Sequence, residues 1–128
     1  MAIDPFVRPT LAGSLETKKF HCSRWNAWQA WLDRMSDILK IKFAIWSIYD
    51  HKKLRSFRDI PYPDMCKLIY TGWGDCNEAI EFDKAPTWAR LWQAADALMR
   101  LSGDEHHQFI EGFEQTDRIG VYELHCGS

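Results

Sequence analysis

Long apolar runs are missing from this sequence. The longest is the four residues Phe43 to Trp46, about a fifth of what a membrane-crossing helix needs. The opening stretch MAIDPFVRPTLAG has no basic region followed by an apolar one, so it does not read as an export signal. Cysteines are few and unpatterned. Cys22, Cys66, Cys76 and Cys126 contain no C-x-x-C spacing, so a zinc knuckle or a dithiol redox motif has no support. Without an export signal they are expected to be thiols, and the expected location is the cytoplasm. An excess of one charge is also lacking. A net charge of −2 supplies no global field for nucleic acid or an anionic membrane. The glycines of TGWGD are not followed by G-K-[ST], so no phosphate loop is present. No cofactor and no metal are expected on these grounds.

Aromatic residues are what the chain has in quantity: seven tryptophans, and 14% Phe, Trp and Tyr. Large rings fill cores, and they also line ligand pockets and partner surfaces. With 46% hydrophobic and 27% charged residues in 128, the composition is that of one globular domain. A chain of this size can bury a core without staples.

Residues 1 to 15, with Pro5, Pro9, Gly13 and Ser14, read as an N-terminal arm. Residues 16 to 128 read as a single α+β domain. ETKKFHC reads as a short strand. Ser23 is a fitting N-cap, and a helix is expected from there to about Lys40. Trp25, Trp28, Leu32, Met35 and Leu39 fall in its apolar stripe at 100° per residue, with Trp31 on the flank. KFAIWSIYD reads as a strand covered on both faces. CKLIYT and NEAIEF read as further strands. Pro86 or Thr87 opens a second helix whose stripe is Trp88, Leu91, Trp92, Ala95, Leu98 and Met99, and Gly103 is a natural C′ residue. HHQFIEGFEQ and VYELHC form a closing hairpin.

The expected architecture is a mainly antiparallel sheet with the two helices packed on one face. Each half runs helix, strand, connection, strand and glycine, as two αββ repeats would. With ETKKFHC and NEAIEF as leading strands the order becomes βαββ twice. In order of elements this resembles the effector-binding domains related to gyrase-inhibitory proteins. That resemblance implies a cleft between the halves for small, apolar, often cationic ligands held by an acidic residue.

HHQFIEGFE carries the most pointed chemistry. Strict alternation puts Phe109, Glu111 and Phe113 on one face and Gln108, Ile110, Gly112 and Glu114 on the other. The first face is the more apolar, so it is expected to meet the core. Glu111 would then stand in apolar surroundings, with its pKa raised unless a partner compensates. Three roles fit: an internal ion pair, an anchor for a cationic ligand, or an acid–base group working with a histidine. His107 and Glu111 lie about 13 Å apart along a strand, too far for one metal ion. Pairing Phe113 with Tyr122 and Phe109 with Cys126 turns His125 to the other face.

Two other stretches hold candidate contacts. His51 to Arg58 carries Lys52, Lys53, Arg55 and Arg58. It suits a phosphate contact or a solvated loop, with no strong nucleic-acid signal. Trp73, between two glycines, is either an exposed stacking ring or one folded back at a turn.

The leading expectation is a small-molecule-binding protein. Its pocket would be lined by Phe109, Phe113, Tyr122, Trp31, Trp92 and Trp73, with Glu111 as acidic anchor and an apolar cation as ligand. One alternative is a protein-interaction module of the immunity or inhibitor kind, acting through exposed tryptophans. Another is a small enzyme with a Glu/His pair. A homodimer through a free edge strand is a further expectation.

Overall fold

The computed structural model describes residues 4–9, 17–48, 54–71, 77–103 and 106–127, with the side chains of the first helix described from residue 26 onward. Seven elements follow in order: α1 (Thr17–Leu39), β1 (Ile45–Trp46), β2 (Lys67–Thr71), β3 (Asn77–Glu81), α2 (Trp88–Ser102), β4 (Phe109–Gln115) and β5 (Val121–Gly127). The strands form one sheet in the order β1-β4-β5-β2-β3. The hairpins β2–β3 and β4–β5 are antiparallel, while β1–β4 and β2–β5 are short parallel ladders. The class is therefore α+β with a mixed, mostly antiparallel sheet.

Local signals explain most of the boundaries. Thr87 caps α2, its side chain accepting from the Arg90 N–H. Gly103 ends the helix at φ 74°, a left-handed position that costs glycine little. Lys40 does the same work after α1 at φ 59° without being glycine. In the β4–β5 hairpin Gly120 has φ 79°, and a Cβ there would come within 2.9 Å of the Asp64 carbonyl and 2.8 Å of Cys66 Sγ.

Two elements depart from the sequence reading. The stretch expected as a leading strand at 16 to 22 belongs, from Thr17, to the first turns of α1. Trp28, Trp31, Leu32, Met35 and Leu39 are buried along one side of that helix, the apolar stripe expected of it. Among the described residues of KFAIWSIYD, which end at Ile48, only Ile45 and Trp46 are strand, and they lie at the sheet edge beside β4. Its alternation is one-sided: Trp46 is 1% exposed and Ile45 39%. The halves are not paired alike either. β4 and β5 form a hairpin, whereas β1 and β2 lie on either side of it.

The core is a chain of rings. Trp46 touches Phe57 (5.2 Å between centroids), Trp88 (5.6 Å), Trp92 (5.4 Å) and Phe113 (6.4 Å). Trp31 reaches Trp28 at 5.1 Å and Phe57 at 5.0 Å. Each such pair adds about 0.5–1.5 kcal/mol beyond area burial. Phe57 comes from the loop, not from a strand or helix. It is held by its own N–H donating to the Phe6 carbonyl and by its carbonyl accepting from the Ala89 N–H.

Candidate functional site

The candidate pocket residues occupy three different places. Trp31 and Trp92 are in the interior. The Trp31 indole N–H donates to the Pro5 carbonyl at 2.7 Å, and that of Trp92 to the Ala44 carbonyl at 3.2 Å. The flank position of Trp31 is thus a contact with the N-terminal segment and the Phe57 loop. Phe113 and Tyr122 form an intermediate layer with Tyr62 and Trp88, ring to ring at 4.8–6.3 Å. Phe109 and Glu111 stand on the opposite, open face of the sheet. Trp73 lies outside the described residues. The five tryptophans whose side chains are described are all buried.

A β-bulge separates Phe109 from Phe113. Ile110 pairs with Cys126, Gly112 with His125 and Phe113 with Leu124, which leaves Glu111 as the extra residue. One extra residue inverts the alternation beyond it. Ile110, three positions before Phe113, therefore faces the helices with it, while Phe109 and Glu111 face outward. The expected shared face of Phe109, Glu111 and Phe113 is corrected by this step, as is the pairing of Phe113 with Tyr122. The actual partner of Tyr122 is Gln115. Glu111 is exposed, and its carboxylate lies across Gly127, where any Cβ would overlap it.

That open face has a consistent character. Ile45 and Phe109 are register partners at its β1 edge, 39% and 37% exposed. Further along stand Glu111, Glu114 and Glu123. Glu114 and Glu123 are direct cross-strand partners, an arrangement that costs stability for like charges. Two contacts relieve it: His125 Nε2 lies 3.0 Å from Glu114, and the Thr71 hydroxyl donates to Glu123 at 2.7 Å. The expected turning of His125 away from Glu111's side does not hold, because the bulge puts both on the open face. Its carboxylate partner is Glu114.

On the helix side the notable polar groups are structural. Asp96, 4% exposed, accepts from the N–H groups of Lys42 (3.1 Å), Phe43 (2.7 Å) and Ala44 (2.8 Å), with Arg100 at 3.7 Å. It fixes the turn that delivers β1 to the sheet. The sequence reading missed it, although an acid one turn from Trp92 on an apolar stripe is a visible signal. The Tyr122 hydroxyl donates to Asp64 at 2.7 Å. Burial, and then the Asp64 carboxylate, push Tyr122 up to about 12. Burial also raises Tyr62.

The basic loop is partly absorbed by the fold. Phe57 is core, and Arg58 pairs with Asp4 at 2.9 Å while lying 4.1 Å over the Phe6 ring. Arg58, and then the Phe6 N–H, hold the Asp4 carboxyl below its ordinary value. Residues 51 to 53, with Lys52 and Lys53, lie outside the described set. Among the described residues no group of three His, Cys, Asp or Glu side chains is placed to hold a metal, and no helix is long and apolar enough to cross a membrane. No protein-family model, curated protein or solved structure matches the chain.

Proposed function

We propose that this chain is a protein-binding module of the cytoplasm that docks a basic surface of a partner onto the open face of its sheet. The observation that supports this reading is the composition of that face. An apolar pair, Ile45 and Phe109, stands beside three carboxylates, Glu111, Glu114 and Glu123, on strands whose other side is packed against a ring-filled core. A rigid sheet with an aromatic anchor and a charged surround has the anatomy of a recognition surface. The charge sign selects a cationic partner and argues against a nucleic-acid backbone. The Glu114–His125 pair has the spacing that acid–base chemistry uses. Both groups are exposed, however, and water is not excluded around them, so we assign the pair to the surface and no reaction to the chain.

The test is a comparison of wild type with the triple variant Glu111→Lys, Glu114→Lys, Glu123→Lys. Proteins cross-linked to the wild type in a lysate of the source cells are identified, and purified candidates are rebound across a salt series. The reading expects a basic partner whose affinity falls by about tenfold or more in the variant and weakens with salt. A partner that binds the variant equally well, or the lack of any saturable partner, overturns it. Light scattering on the same samples separates a hetero-complex from pairing of two copies through the free edge of β3.

A further inference from the structure

Where β3 ends and the chain turns into α2, the surface holds a groove of about 370 Å³ lined by Glu81, Phe82, Asp83, Lys84, Pro86 and Arg90 among others. Its walls are fixed at both ends. The Phe82 N–H donates to the Cys66 carbonyl, which ties the start of the turn to the sheet. The Thr87 cap and the first turn of α2 hold the other end.

The N-terminus of α2 contributes no free donors to this groove. The N–H of Trp88 donates to the Asp59 carbonyl, that of Ala89 to the Phe57 carbonyl and that of Arg90 to the Thr87 hydroxyl. The first turn of α2 therefore supplies no phosphate site of its own here. The charged groups available to a ligand there are side chains.

Those side chains form a balanced set. Glu81 and Asp83 are negative, Lys84 and Arg90 positive, and among the described residues no ion pair joins any of the four. The Arg90 guanidinium lies 5.4 Å from the Phe82 ring centroid, a stacking that orients it while leaving its N–H groups able to donate. Phe82 and Pro86 supply apolar wall. The volume is at the small end for ligand sites, about 300–1,000 Å³, so it suits one small molecule.

We infer that this groove binds a free α-amino acid with an apolar side chain, its carboxylate on Arg90 and Lys84, its ammonium on Glu81 and Asp83, and its side chain against Phe82 and Pro86. An anion alone would bring Glu81 and Asp83 beside like charge. A cation alone would do the same to Lys84 and Arg90. An uncharged apolar ligand would strip water from four unpaired charges. A zwitterion answers both signs at once. The site stands apart from the proposed partner contact: Lys84 and Arg90 lie on the turn and on α2, and changing them leaves Phe109, Glu111, Glu114 and Glu123 intact.

The experiment is titration calorimetry of the full chain with leucine and with phenylalanine at millimolar concentrations. N-acetyl-leucine and leucine amide are the controls, each lacking one of the two charges. Saturable binding of the free amino acids is expected, about tenfold weaker for each blocked form. Arg90→Ala and Asp83→Ala should each weaken it by a similar factor. Circular dichroism confirms their folding, and Lys84→Ala serves as a second cation variant. Absence of saturable heat from both amino acids, equal binding of a blocked form, or unchanged affinity in Arg90→Ala together with Lys84→Ala overturns the proposal.

Discussion

The two faces of the sheet are made from the same strands, yet they are built to different ends. Toward the helices stand Trp46, Ile110, Phe113, Tyr122, Leu124 and Leu68, most of them sealed from solvent and touching one another. Away from the helices stand Ile45, Phe109, Glu111, Glu114, Glu123 and His125, with like charges directly opposed across β4 and β5. The helix face accumulates stability through ring contacts. The open face spends some of it on repulsion between neighbouring carboxylates. Residues that cost stability where they stand fit the recognition surface proposed above.

The largest effect that would sharpen this contrast is at the hub of the rings. Trp46→Ala removes a fully buried ring that touches four others, and a loss of about 3–5 kcal/mol is expected in denaturant unfolding. Asp96→Ala follows. It leaves three buried or half-buried N–H groups without their acceptor, at a cost of about 3 kcal/mol. Asp96→Asn, which keeps one acceptor oxygen, should lose less in the same unfolding measurement.

A smaller effect concerns pH. Tyr122 titrates at about 12 in the folded chain against an ordinary 10.0. Its folded value is raised, so its contribution is complete below the unfolded value and is lost as pH rises from about 10 toward about 12. Melting temperatures across that alkaline range should fall less steeply in Tyr122→Phe than in wild type. Equal slopes would detach the effect from this hydroxyl. The smallest change is at Glu111. Glu111→Gln should alter unfolding free energy by no more than about 0.5 kcal/mol, as exposed positions do. A gain of several kcal/mol would instead mark a buried acid and return it to the helix side.

Much of this division was legible in the sequence, and its failures have one physical origin each. The α2 boundaries were readable because Thr87 and Gly103 act locally, through a side-chain acceptor and a left-handed φ. The terminal hairpin was readable from alternation and turn residues, whereas the antiparallel pairing of β2 with β3 was not, because NEAIEF reads equally as the leading strand of a second repeat. The face of Glu111 was not, because period-two counting has no place for an extra residue. Gly112 inside the strand was the available hint of a bulge. β1 was misplaced because FAIW looks covered on both sides, whereas Phe43 and Ala44 are not strand residues at all. They are held by the Asp96 carboxylate, more than fifty residues away in sequence, and no local pattern announces such a contact. Trp31 and Trp92 stand out in the sequence as large rings, but composition alone does not separate a ring that fills a core from one that lines a pocket.

The central claim is that Phe109 belongs to an open surface and not to the core. The most direct measurement is the unfolding free energy of Phe109→Asp beside that of Trp46→Ala. A folded variant that loses about 1 kcal/mol, the scale of a cross-strand apolar pair with Ile45, is the expected result. A loss matching that of Trp46→Ala would contradict the account, because it would mean that this face is covered.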